Sequence, residues 1–232
     1  MDSLCADGMA FHATPSRREL RAIKAVAGGD GGDEAAPHAG EPVLRFPPSM
    51  RPAVARVRFD PSTGPWRFRN DAGPTLIQDG FLGTLTMDTA SVWGDPIVWT
   101  RSGAPSYQLA VTVDDGDDGV TDVVRGADLF QSAALQTVLH RGLGRTPPRW
   151  WHVPLVLDAG GARLAKRTGA MSLLQMKECG ACAGELVARV ASMIGLRDGT
   201  APVTSAEFAR LCNPATLREH CLKRRDGIVA LP

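Results

Sequence analysis

Long apolar runs, a secretory leader and a surplus of charge of either sign are all missing from this 232-residue chain. No apolar stretch approaches the ~20 residues that a helix needs to span a bilayer, so a membrane partner is not expected. The first residues show no charged segment followed by an apolar core. With five cysteines and ample length for a core, this predicts a reduced, cytoplasmic protein that needs no disulfide framework. Lys plus Arg is 26 against 25 for Asp plus Glu, which gives no bulk argument for nucleic acid or a lipid surface. Lysine itself is scarce: Lys24, Lys166, Lys177 and Lys223 are the only four, so a lysine in a loop carries more information than usual.

What is present alternates between strand and helix signals, which predicts an α/β fold closing on helices. Ser16 to Val26 has helical spacing with Ser16 placed as N-cap, and the Gly, Asp, Ala and Pro stretch from Gly28 to Pro42 reads as a surface loop. Residues 53 to 58 alternate as a short strand, and Asp71 to Gly83 reads as turn-rich. Strand signals follow at Ile97 to Thr100, at Tyr107 to Val113 and at Val120 to Val124. The second of these is nearly all apolar, as an interior strand would be. It ends in the polar run Asp114 to Gly119, where open α/β sheets place ligands. Ser132 to Leu143 has helical spacing, Val153 to Leu157 is a short apolar strand, Gly160 to Gly169 is a basic loop, and helical periodicity returns from Ser172 onward.

Two clusters carry chemistry. In Thr121-Asp-Val-Val-Arg-Gly-Ala-Asp-Leu129 a strand delivers Arg125 and Asp128 into one loop, and an arginine so placed can clamp a carboxylate or phosphate through two parallel hydrogen bonds. Taken alone, such an arginine is more often a structural ion pair. Gly160-Gly-Ala-Arg-Leu-Ala-Lys-Arg167 sets three cations on a glycine-hinged loop, which can fold over a triphosphate and stabilise a departing pyrophosphate. The plain alternative is a solvated basic turn. A third feature, Cys179-Gly-Ala-Cys182, reads as a chance Cys-x-x-Cys, because no thioredoxin-like context precedes it and the later Cys212, His220 and Cys221 lie at irregular spacing.

The order of these pieces is more specific than any of them. Tyr107-Gln-Leu-Ala-Val with Asp114-Asp115, then Val124-Arg-Gly-Ala-Asp-Leu129, Gln136, His152-Val-Pro-Leu-Val-Leu-Asp158 and Arg163-Leu-Ala-Lys166 follow in sequence. The series resembles the second half of the class I catalytic domain of glutamyl-tRNA synthetases. Asp122 before Val-Val-Arg-Gly resembles the short members that glutamylate queuosine in tRNA(Asp), where full-length enzymes tend to have His. The resemblance implies an α/β fold in which residues 53–170 are the second half of a Rossmann-type class I catalytic domain, with a degenerate insertion region over 1–52 and a C-terminal helical segment over 171–232. It assigns Tyr107 and Arg125 to glutamate, and Arg163, Leu164, Ala165, Lys166 and Arg167 to the second ATP signature, with Lys166 as its principal lysine. The implied chemistry is activation of glutamate by ATP to an adenylate, then transfer to tRNA(Asp).

The chain also departs from that pattern. The N-terminal half of the domain, with its His-x-Gly-His type ATP signature, has no counterpart, which implies that the sequence begins inside the domain. Asp60-Pro-Ser-Thr-Gly-Pro-Trp66 echoes the opening of such enzymes but lacks the following His, and a Pro-Gly turn explains it. The positions that hold zinc in the queuosine-type enzymes fall on Ala13, Pro15, Phe46 and Met50, which offer no thiolate, imidazole or carboxylate, so zinc is not expected. In the ATP signature Arg163 keeps the charge of the usual lysine, while Ala165 deletes a hydroxyl. A catalytically inactive relative, or a tRNA-binding remnant, is the alternative these losses suggest.

Overall fold

The computed structural model describes residues 1–13, 15, 45–158, 160–161, 164, 172–224 and 228–229. The elements in chain order are α1 (Asp2–Ala6), β1 (Ala10–His12), β2 (Trp66–Phe68), β3 (Pro74–Asp79), β4 (Gly83–Asp88), α2 (Thr89–Trp93), β5 (Ile97–Trp99), α3 (Tyr107–Asp117), β6 (Asp122–Gly126), α4 (Phe130–Gly142), β7 (Arg149–Val153), β8 (Val156–Leu157), α5 (Leu173–Glu178), α6 (Ala183–Met193), α7 (Ser205–Leu211), α8 (Pro214–Lys223) and β9 (Ile228–Val229). The described strands form a three-stranded sheet of order β1-β2-β5, a four-stranded sheet of order β4-β3-β7-β6 and a parallel pair β8-β9.

Two compact units divide the chain. Unit 1 comprises Met1–Gln78, Thr84–Val123 and Asp128–Trp150, and unit 2 comprises Asp79–Gly83, Val124–Ala127 and Trp151–Pro232. In unit 1 the three-stranded sheet is antiparallel, with Ala10 opposite Phe68 and Trp66 opposite Trp99. Its inward residues Ala10, Trp66, Phe68 and Val98 share a core with Leu109 of α3 and with Leu135 and Leu139 of α4. Helix α4 is buried at every position from Ser132 to His140, so its polar residues must find partners inside the protein. Most do: Gln136 donates to Gln108 at 2.9 Å, Gln108 donates to Ser132 at 3.1 Å, and the Trp150 indole donates to Thr137 at 3.0 Å. Unit 2 holds α5 to α8. Ser172 caps α5 in a reciprocal arrangement with Gln175, Thr204 caps α7 with Glu207, and Asn213 with Pro214 opens α8.

Five local expectations are corrected. Tyr107 to Val113 is the start of helix α3, not a buried strand. Ser106 accepts from the Leu109 amide as its N-cap, and burial falls on Gln108, Leu109 and Thr112, one helical face. A short apolar run has no period of its own, and the capping serine decides it. The Asp114 to Gly119 run is consequently the end of that helix, with the turn made by Gly119 at φ 68°, rather than a ligand-bearing strand end. Asp71 to Gly83 is not mainly turn: Thr75, Ile77 and Asp79 alternate inward along β3. Residues 53 to 58 form no strand: their side chains lie exposed, and one amide, that of Val57, donates to Cys5 O at 3.1 Å. The expected strand Val153 to Leu157 is split, because β7 ends at Val153 before Pro154, which has no amide to donate. The helix expected over Ser16 to Val26 lies outside the described residues.

Candidate functional site

Three neighbouring strands, β3, β7 and β6, carry Asp79, His152 and Arg125, all within unit 2. Residues opposite one another on adjacent strands come within side-chain reach, so the middle strand can join its two neighbours. His152 does this. Its Nδ1 lies 2.5 Å from Asp79 Oδ2, and its Nε2 lies 3.1 Å from Arg125 Nε. The Asp79 and His152 side chains are wholly buried and Arg125 is half-buried.

Asp79 is held on all sides. Its Oδ1 accepts from the backbone amides of Phe81 at 2.9 Å, Leu82 at 2.8 Å and His152 at 3.2 Å. Burial pushes this carboxyl up, but the hydrogen bonds from the His152 ring and from the Leu82, His152 and Phe81 amides outweigh it and hold Asp79 below the usual carboxylate range. Gly80 completes the turn beneath the Trp151 ring, where a Cβ would fall 1.9 Å from the indole Cε3.

The expected site residues distribute as follows. Arg125 stands on β6, anchored through its Nε. Tyr107 opens α3 in unit 1 with just over half of its surface exposed. Leu164 is part-exposed, its amide donating to Val156 O at 3.0 Å. Arg163, Ala165, Lys166 and Arg167 lie outside the described residues. Asp122, the residue that pointed to the short synthetases, pairs with Arg149 at 2.7 Å. The local sequence pattern gives His152 no role and places Asp79 in a turn. The missed signal was the period-two burial of Thr75, Ile77 and Asp79.

The zinc positions do not fit a metal. Ala13 and Phe46 are buried in an apolar cluster with Phe11, and Met50 packs against it. The Phe11 and Phe46 rings lie 5.5 Å apart, with the Arg67 guanidinium over Phe46 at 4.8 Å and that of Arg69 over Phe11 at 5.1 Å. Cations over both rings disfavour a further cation there. The Asp60 to Trp66 segment closes on itself: Asp60 accepts from the Ser62 amide and hydroxyl at 2.9 and 2.6 Å, and Asp60 O accepts from the Trp66 indole at 3.1 Å. Cys179 ends α5 and Cys182 opens α6; both are exposed free thiols. A 470 Å³ cleft bounded by Met9, Phe68, Arg69, Val138 and Arg141 contains neither Tyr107 nor Arg125.

This architecture is the fold of the glutamate–tRNA ligases. The solved structure of a glutamate tRNA ligase from Elizabethkingia meningosepticum superposes with a TM-score of 0.68 at 20% identity, covering 96% of this chain and 47% of that one. The sequence narrows it further: residues 1–212 match the family described as tRNA synthetases class I (E and Q), catalytic domain, and the chain belongs to that family. It is 41% identical over 175 residues to a glutamyl-Q tRNA(Asp) synthetase of Bordetella bronchiseptica, covering 74% of this chain and 50% of the relative. A protein of the same name from Deinococcus radiodurans is 38% identical over 78% of this chain and 58% of its own. A glutamate–tRNA ligase of Xanthomonas euvesicatoria is 33% identical over 77% of this chain and 36% of its own. The chain therefore spans between about a third and three-fifths of the length of these relatives. No helix among the described residues is long and apolar enough to cross a membrane.

Proposed function

We propose that this chain is part of a glutamyl-queuosine tRNA(Asp) synthetase, which joins glutamate to ATP to form an adenylate and pyrophosphate and then passes the glutamyl group to queuosine of tRNA(Asp). The observation that carries the reading is Arg125, a half-buried guanidinium fixed on β6 by the histidine of the neighbouring strand, in a chain 41% identical to a protein of that name. Such a group recognises a carboxylate of glutamate through its planar fork. Tyr107 is the second glutamate contact, and residues 53–170 are the catalytic part of the chain, between a degenerate insertion region and the C-terminal helices. In the first step a glutamate carboxylate oxygen attacks the α-phosphorus of ATP and pyrophosphate leaves. Lys166, with Arg163 and Arg167 beside it, stabilises the charge that grows on the leaving group. No zinc takes part, because the positions that would hold it are given over to aromatic packing. The enzyme works in the cytoplasm.

Glutamate-dependent exchange of pyrophosphate into ATP, measured on the protein as its own cell makes it, tests the reading. Arg125→Ala should raise the KM for glutamate by roughly 10- to 100-fold, the loss of one or two charge-assisted hydrogen bonds. Lys166→Ala should instead lower kcat by about 10²- to 10³-fold with little effect on that KM. Equal loss in both constants for Lys166→Ala would remove its leaving-group role. Metal analysis of the same protein should find zinc well below one equivalent. Ala165 in place of the signature serine supports a second reading, a non-catalytic relative that keeps the glutamate site. Glutamate binding without any exchange would select it.

A further inference from the structure

The Asp79–His152 pair does more than fill the interior, because the chemistry of its neighbour fixes the protons in it. An arginine Nε always carries hydrogen, so His152 Nε2, 3.1 Å away, accepts and therefore bears a lone pair. The ring proton then sits on Nδ1 and is donated to Asp79 Oδ2 at 2.5 Å. Oδ1 of the same carboxylate is tied to three backbone amides, those of Phe81, Leu82 and His152, so the carboxylate cannot turn and neither can the imidazole it holds. Water does not compete, since both side chains are wholly buried.

We propose that Asp79 and His152 are positioning residues for glutamate recognition: Asp79 fixes the Nδ1–H tautomer of His152, and His152 Nε2 holds the Arg125 guanidinium in the orientation that receives the carboxylate. Anchoring Nε sets the plane of the guanidinium and with it the direction of its Nη edge, the edge used in two-point recognition of a carboxylate. The requirement is an acceptor facing Arg125 and a donor facing Asp79, which a glutamine can supply and a phenylalanine of similar size cannot. The inference rests on the reading of Arg125 as a glutamate ligand.

Two readouts on the full chain separate the proposal from that reading. Long-range ¹H–¹⁵N correlation of the histidine rings should show His152 as the Nδ1–H tautomer, with a slowly exchanging Arg125 Nε–H. That arginine signal should lose its protection in His152→Phe and regain it in His152→Gln. L-glutamate titrated calorimetrically should bind His152→Phe on the order of tenfold more weakly than the parent, with His152→Gln close to the parent. An Nε2–H tautomer in the parent protein, or unchanged glutamate affinity in a folded His152→Phe, would overturn the positioning role. If His152→Phe fails to fold, the parent tautomer and the His152→Gln signals decide the question. A parent protein that shows the expected tautomer and arginine signal but binds no glutamate would overturn the site reading and leave the Asp79–His152–Arg125 link in place.

Discussion

His152 and His140 are equally hidden from solvent, at 0% and 1% exposure, yet the regions around them are built in opposite ways. His152 sits on a middle strand, and each ring nitrogen meets a partner on an adjacent strand, Asp79 on one side and Arg125 on the other. His140 sits in the buried helix α4, and neither of its ring nitrogens meets a hydrogen-bond partner. Its charged neighbour is Arg145, a cation like itself when protonated, and both burial and that arginine push the imidazole below its ordinary value of 6.5. One histidine is specified by its polar contacts and the other fills space. Burial of a titratable group therefore does not mark a site; the set of partners does.

The sharpest way to break that contrast is to remove the acceptor on the His152 side. Asp79→Ala leaves a buried imidazole and the amides of Phe81, Leu82 and His152 without their acceptor, and should cost on the order of 3–5 kcal/mol in urea unfolding. A loss no larger than that of a conservative change at His140 would erase the distinction. A smaller effect is expected from Gly80→Ala. The added methyl meets the Trp151 ring at 1.9 Å, so the turn that presents Asp79 must shift, at about 1–3 kcal/mol. A variant as stable as the parent would show that this turn has room to move and that Asp79 is held less firmly than its hydrogen bonds imply.

The same contrast explains what could be read from sequence. The strand leading to Arg125 was legible from its apolar run, although β6 continues to Gly126 and so carries Arg125 within the sheet and not in a loop. The α/β class and the C-terminal helices were legible because hydrophobic period survives in them, and the capping serine and threonine at 172 and 204 mark helix starts. Asp79 was not, since glycine, proline and asparagine around residues 70 to 83 outweighed a three-point alternation. Nor was helix α3, whose β-branched Val111, Thr112 and Val113 mimic a strand until Ser106 is weighed as a cap. The link from Asp79 through His152 to Arg125 joins residues 79, 152 and 125, and no local pattern encodes which strands become neighbours. Ala13 and Phe46 were legible as positions that offer no ligand, but not as parts of an apolar cluster with Phe11.

The smallest predicted effect lies on the His140 side and appears as a slope rather than a loss. Because the folded-state pKa of His140 is depressed, the unfolded chain takes up its proton first as pH falls. Stability from this residue is complete above about 6.5 and declines as pH drops toward the lower folded value. His140→Leu removes the titration and replaces two partnerless nitrogens with an apolar side chain of similar size. At pH 7 the change should be within about 1 kcal/mol of zero. Below pH 6 the variant should become the more stable of the two, its urea midpoint falling less steeply with acid than that of the parent. Parallel pH profiles for the two proteins would mean that His140 does not stay neutral at the expense of stability. It would then have found a partner, and the contrast with His152 would rest on position alone.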